Sequence, residues 1–294
     1  MKRKIIKLGT STLVTSLPSN WAKKLHLQAG DEIEVQEQGL HLILAPEFSH
    51  QVEKVTLDVR NIDLLMKRLL VAQYYKGCDE IEVKFNSREK AKTIQTRVNE
   101  LLGVTIMHQG SDFCLIKDLG SSEQDINEVL KRIFLLITNM IEESLSALEK
   151  GETQLEIIAD IESNINKFTD YAFRLLNKKL SAPALYCIVD LAEKLGDDDK
   201  AFLKLVSESK FKFSNDLLKV YRSLLSWFKS FQSFFFCYSK DKAVALAKER
   251  DKIAVQLHSL KSRSKNTLEV EVLLRLEIIL EDLVRMMGHT LTLN

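Results

Sequence analysis

Two hydrophobic periodicities divide the chain, short alternating runs in its N-terminal part and apolar positions three and four apart in the remainder. Residues 1 to 46 predict strand Lys4–Leu8, a Gly9-Thr10-Ser11 turn, strand Leu13–Leu17, a short helix and a hairpin. Pro18 suits a first helical turn, where its missing N–H costs nothing, and Trp21, Ala22 and Leu25 share one face of a helix ending near Leu27. Ile33 and Val35 alternate with acids before Gly39 turns the chain into Leu40–Leu44, and Pro46 closes the segment. Strands so few and short bury little apolar area alone, so this segment is expected to be completed by association.

From about residue 50 to 118 the pattern predicts strand Val52–Val59, helix Ile62–Lys76, strand Glu80–Phe85, helix Arg88–Leu102, and hairpin strands Val104–His108 and Phe113–Lys117. Gly77 and Gly103 stand where left-handed residues would end the two helices. This small α/β unit has neither a G-x-G-x-x-G nor a P-loop, which assigns it a spacer or dimerisation role. Beyond it, helical spacing runs through Ile126–Leu148, Ile157–Leu180, Ala184–Val206, Leu217–Tyr238, Ala243–Leu260 and Leu268–Met287. Six such helices make a bundle, read as two three-helix units. The run Trp227–Phe236 is too aromatic for one stripe, and both core packing and a partner or dimer surface are open to it.

Composition narrows the class. Three Pro and ten Gly in 294 residues favour long helices over irregular loops. Apolar runs such as Ile133–Ile137 fall far short of the roughly 20 residues of a spanning helix. The start, Met1-Lys2-Arg3-Lys4-Ile5, has no apolar stretch before Gly9, so no cleaved secretion signal is expected and the address is cytoplasmic. Cys78, Cys114, Cys187 and Cys237 stand alone, as reduced thiols do. Lys and Arg number 42 against 41 Asp and Glu, yet residues 1 to 30 carry Lys2, Arg3, Lys4, Lys7, Lys23 and Lys24 and no acid. Residues 119 to 294 hold 25 basic and 26 acidic side chains, so an anionic partner is expected at the N-terminus.

The string Lys7-Leu8-Gly9-Thr10-Ser11-Thr12-Leu13-Val14-Thr15-Ser16-Leu17-Pro18, followed by Trp21-Ala22-Lys23-Lys24-Leu25 and Ala29-Gly30-Asp31-Glu32-Ile33, resembles the SpoVT/AbrB-type swapped-hairpin domain. The resemblance implies a dimer whose hairpins interleave into one small barrel that presents basic residues to DNA. The helical segment resembles the PhoU family, and the three segments in order resemble archaeal-type PhoU-family phosphate uptake regulators. Helices of that family carry E/D-x-x-x-D motifs that in some members hold iron or other metal. One such motif is intact here, Glu193-Lys194-Leu195-Gly196-Asp197; Glu162 is followed four residues on by Asn166, Glu249 by Ile253 and Glu277 by Glu281. The last counterpart is alternatively Val284 and Gly288, which would keep neither acid.

Carboxylates four apart share a helix face and can share a hard cation. Ile188, Leu191, Leu195, Phe202 and Val206 cluster on one side of their helix, with Glu193 and Asp197 nearly opposite. A metal site, a plain solvated face, and a break at Gly196 with Asp197-Asp198-Asp199 capping a new helix all remain open. At most, Glu162, Glu193, Asp197, Glu277 and Glu281 would gather one weakly held divalent or iron ion, and no other cofactor is expected. The six histidines never fall three or four apart, and no Ser or Cys has a nucleophile signature, so catalysis is not expected.

The chain is therefore read as a multidomain α+β protein: a dimeric swapped-hairpin barrel at 1–48, an α/β spacer at 49–118 and a PhoU-like six-helix bundle at 119–294. Lys2, Arg3, Lys4, Lys7, Lys23 and Lys24 are candidate phosphate contacts, with Thr10 and Ser11 at the turn. Its expected role is a DNA-binding regulator of phosphate uptake, a homodimer or higher oligomer with no membrane insertion. The alternative is an adaptor that docks its bundle on a phosphate transporter ATPase or a signalling protein.

Overall fold

The computed structural model describes residues 2–38, 41–46, 53–120, 125–151, 155–178 and 182–293. It divides into two compact units, Met1–Val52 and Glu53–Asn294.

In the first unit, β1 (Ile6–Leu8) and β2 (Thr12–Val14) form an antiparallel hairpin, helix α1 covers Ser19–Lys24, and β3 (Ile33–Gln38) pairs antiparallel with β4 (His41–Pro46). The first two strands are shorter than the apolar pattern suggests. Pro18 caps α1 from extended backbone instead of joining its first turn, and the helix stops before Leu27 because His26 turns left-handed at φ 54°. Gly39 and Leu40, at the expected hairpin turn, lie outside the described residues.

The second unit opens with a four-stranded sheet of order β5-β6-β8-β7, built from β5 (Lys54–Asp58), β6 (Glu80–Lys84), β7 (Val104–Gln109) and β8 (Phe113–Asp118). β5 and β6 run parallel and the other pairs antiparallel. Helix α2 (Met66–Lys76) joins β5 to β6, and α3 (Arg88–Glu100) joins β6 to β7. α2 starts four residues later than its periodicity suggests, because Lys90 Nζ ties down the preceding turn by donating to Val59 O and Arg60 O, each at 2.9 Å. Gly77 does cap α2 at φ 91°, with Lys178 so close that an added Cβ would lie 2.6 Å from its Cγ. Gly103 is not the cap of α3. The helix ends at Leu101 in extended backbone, and Gly103 turns the chain two residues later.

Six helices follow: α4 (Ile126–Lys150), α5 (Leu155–Lys178), α6 (Pro183–Ser209), α7 (Asn215–Phe236), α8 (Lys240–Arg263) and α9 (Thr267–Leu291). Leu180 lies outside the described residues. α4, α5 and α6 pack on one another, as do α7, α8 and α9, while α6 against α9 and α4 against α7 weld the two sets into one continuous core. The aromatic run is mostly core: Trp227, Phe228, Phe231 and Phe234 are buried, Phe134 of α4 meets several of the rings, and Phe236 is 40% exposed. α6 runs unbroken through Gly196, whose hydrogen faces Ile165, so the expected break there is absent. Among the described residues, no helix is long and apolar enough to cross a membrane.

The α/β layer and the bundle form one compact unit. Arg174 of α5, 1% exposed, donates to Tyr74 O at 2.8 Å, Cys78 O at 2.9 Å and Asp118 Oδ2 at 2.7 Å. Lys178 bridges Asp79 and Asp118 at 2.6 and 2.7 Å. Burial raises the Asp118 acid, but the two cations outweigh it and hold the carboxyl well below the usual range.

Candidate nucleic-acid interface and carboxylate clusters

The N-terminal hairpin turns through Gly9 at φ 68°, a conformation in which a Cβ would be strained. Thr10 and Ser11 sit exposed at this turn. Lys2, Arg3 and Lys4 precede β1, and Lys7 lies within it opposite Leu13, all exposed. Lys23 and Lys24 occupy the last turn of α1, where cations also suit the helix dipole. None of these six basic residues meets a carboxylate among the described residues. The same unit exposes Ile5 (70%), Ile6, Leu8, Leu13, Val35 and Leu42. In one copy, then, exposed cations and exposed apolar side chains share about fifty residues.

The five carboxylates proposed for a metal do not gather at one point, although Glu162 of α5 and Asp197 of α6 meet. Glu162 of α5 accepts from Asn166 Nδ2 at 2.7 Å and pairs with Lys200 at 2.8 Å. Burial would raise its acid, but Lys200, Asp197 and Asn166 bring it below its ordinary value, while burial and Glu162 push Asp197 up. Glu193 does not lie on a plain solvated face. It half-buries in a cleft of about 680 Å³ between the α/β layer and the bundle, with Tyr75, Arg97 and Asp170 inside and Lys67 and Arg68 also lining it. There burial, then Asp170, Asp197 and Asp190, push its acid up to about 7. Asp170 itself is engaged by Arg97 at 2.8 Å and by the Tyr75 hydroxyl. On α9, Glu277 pairs with Lys261 at 2.5 Å, and Glu281 lines a separate groove with Arg250 and Arg285. Among the described residues no three His, Cys, Asp or Glu side chains form a metal-holding group. A helical periodicity puts motifs on faces, but which helices face each other decides convergence: α5 and α6 bring Glu162 and Asp197 together, while Glu193 lies in its own cleft and Glu277 and Glu281 lie on α9.

Two charged groups, Asp170 and Arg174, escaped the sequence reading, and a third, Asp199, was read only as part of a helix cap. Asp170 and Arg174 interrupt the apolar run Phe168–Leu176, which marks them as buried, and both tie α5 to the α/β layer. Asp199 falls on the Leu195–Phe202 core stripe, not in a cap. It is fully buried, with Ser144 Oγ donating at 2.6 Å and the Tyr221 hydroxyl also donating, and burial pushes its acid up to about 6.

Residues 6–48 match the family model described as antidote-toxin recognition MazE, bacterial antitoxin. No curated protein and no solved structure matches the chain significantly. The match covers the N-terminal unit alone and supports its SpoVT/AbrB-like reading.

Proposed function

We propose that the chain is a DNA-binding regulator whose N-terminal unit grips DNA as a dimer and whose second unit senses a signal or binds a partner. The observation that carries this reading is the set of six exposed cations with no carboxylate partner among the described residues, in a unit that exposes apolar side chains and whose residues 6–48 match the MazE model. Pairing two copies would cover the apolar residues and double the basic surface. Lys23 and Lys24 then act as phosphate clamps, and the β1–β2 turn with Thr10 and Ser11 lies nearer the bases. The resemblance of α4–α9 to the PhoU family extends the proposal to phosphate uptake, with no catalytic step. The MazE match favours a second reading, recognition of a toxin by an antitoxin. Against it stands the long, well-packed second unit, unlike the short disordered tail by which an antitoxin wraps its toxin.

Titration of the full chain against its own upstream DNA tests the proposal. With about six phosphates neutralised per copy, log affinity falls with log salt at a slope near −5 per copy, and Lys23→Glu/Lys24→Glu abolishes binding. Affinity indifferent to salt and to these charges refutes it.

A further inference from the structure

The last helix, α9, carries a stripe that no described part of the chain covers. One side of it, including Leu276, Ile279, Leu283 and Met286, is buried in the bundle. On the other side Glu271, Leu274, Ile278, Glu281, Arg285 and Gly288 follow one another at steps of three and four residues, all exposed, Leu274 by 44% and Ile278 by 45%. Such spacing is that of a seam between paired helices. Its charges are poorly used within the chain. Arg275, beside the stripe, lies 3.7 Å from Glu271, too far for a hydrogen bond, and Glu281 has no hydrogen-bond or ion-pair partner among the described residues. Arg285 reaches Asp282 at 3.2 Å, but that carboxylate is already held by Lys194 at 2.5 Å.

We propose that α9 pairs antiparallel with α9 of a second copy of this chain, about a two-fold axis at Ile278. The order of charges along the stripe argues for that occupant. Glu271 and Arg275 precede Ile278, and Glu281 and Arg285 follow it, while Glu277 beside them is taken up by Lys261 and Asp282 is buried. An antiparallel match centred on Ile278 sets Glu271 against Arg285 of the second copy and Arg275 against Glu281 of the second copy, each pair occurring twice, with no like charges opposed. Centring the match between Leu274 and Ile278 sets Glu271 against Glu281, and a parallel match sets every charge against itself. At the axis Ile278 meets its own equivalent, and Leu274 lies along the stems of Glu281 and Arg285 of the second copy. Gly288, whose absent Cβ would face open space, leaves room for Leu268 of the second copy. Since the stripe belongs to the Glu53–Asn294 unit, the contact requires nothing of the N-terminal unit.

Disulfide trapping in the full chain tests the contact itself. In a Cys237→Ser background, which removes the one exposed native thiol among the described residues, Ile278→Cys places two thiols at the axis. Under mild oxidation it should form covalent dimer at least about tenfold faster than Val255→Cys, a more exposed position on α8. Association through the N-terminal unit raises the local concentration at both positions, so their ratio reports α9 pairing whether or not that unit dimerises. Adding Glu281→Arg should slow the trapping by about tenfold, and further adding Arg275→Glu should restore it. Trapping no faster than at Val255, or indifferent to the charge reversal, or not rescued by the second reversal, overturns the proposal.

Discussion

One copy of the Glu53–Asn294 unit buries a continuous apolar core, and one copy of the N-terminal unit buries none of its described side chains. The larger unit has a continuous core from Val59 to Met286, and buried Arg174 is paired with Asp118. In the smaller unit none of the side chains described is buried, and Leu13 and Leu42 are 67% and 66% exposed. Apolar burial is the main favourable term in folding, so the two units owe their stability to different sources. Under the proposed function, the larger unit folds on its own core, whereas the smaller one is completed by association, which would tie its candidate DNA surface to the presence of another chain.

The comparison is sharpened most by Arg174→Met. Removing the guanidinium leaves the Tyr74 and Cys78 carbonyls without that donor and deprives buried Asp118 of one of its cations. Loss of one partner of a buried ion pair costs about 3–5 kcal/mol, to be read from urea unfolding of the full chain. A loss below about 1 kcal/mol would show that Lys178 alone neutralises Asp118 and that the α/β layer is held by other contacts.

Leu13→Asp/Leu42→Asp attacks the other side. If association covers these side chains, two carboxylates per copy at that contact should weaken it by at least about a hundredfold, roughly 3 kcal/mol, and carry DNA binding away with it. Unfolding of the larger unit should shift by no more than about 0.5 kcal/mol. Sedimentation of the full chain measures the first effect, with Glu281→Arg present to silence the α9 contact. An unchanged dissociation constant would mean that one copy of the N-terminal unit is complete with these residues in water.

The two units also differed in how legible they were. In the larger one, the periodicity through Val129, Ile133, Ile137 and Ile141 located α4, and the same logic located the other helices to within a few residues, because long amphipathic helices bury the face their sequence marks. Boundaries failed where a remote group decided them, as when Lys90 holds the turn ahead of α2. The Glu193-x-x-x-Asp197 spacing was legible as a shared face, but not that Arg97 and Asp170, contributed by α3 and α5, would close over Glu193. Nor could Gly196 be read correctly from local propensity, since close packing on Ile165 overrides the cap preference. In the smaller unit, the basic cluster was legible in composition alone.

Asp199 provides the finest test of how self-sufficient the larger core is, because its carboxyl is the one core acid there held by hydroxyls with no cation described beside it. Burial pushes it up to about 6 from an ordinary 3.8, so the fold favours the protonated acid. In that direction of shift, stability is undiminished below about pH 4, where folded and unfolded chains are both protonated, and is lost as pH rises through about 6. Asp199→Asn keeps the shape and removes the titration, so the variant should gain on the parent by about 2 kcal/mol between pH 4.5 and 7.5. Glu193, with its acid pushed up to about 7, adds a loss of the same sign, and Asp118, held low, acts in the opposite sense at more acidic pH. Both remain in parent and variant, and the difference between the two unfolding curves cancels them. Parallel pH profiles for the two proteins would mean that Ser144 and Tyr221 stabilise the carboxylate as well as water does, and that the core accommodates a charge there without penalty.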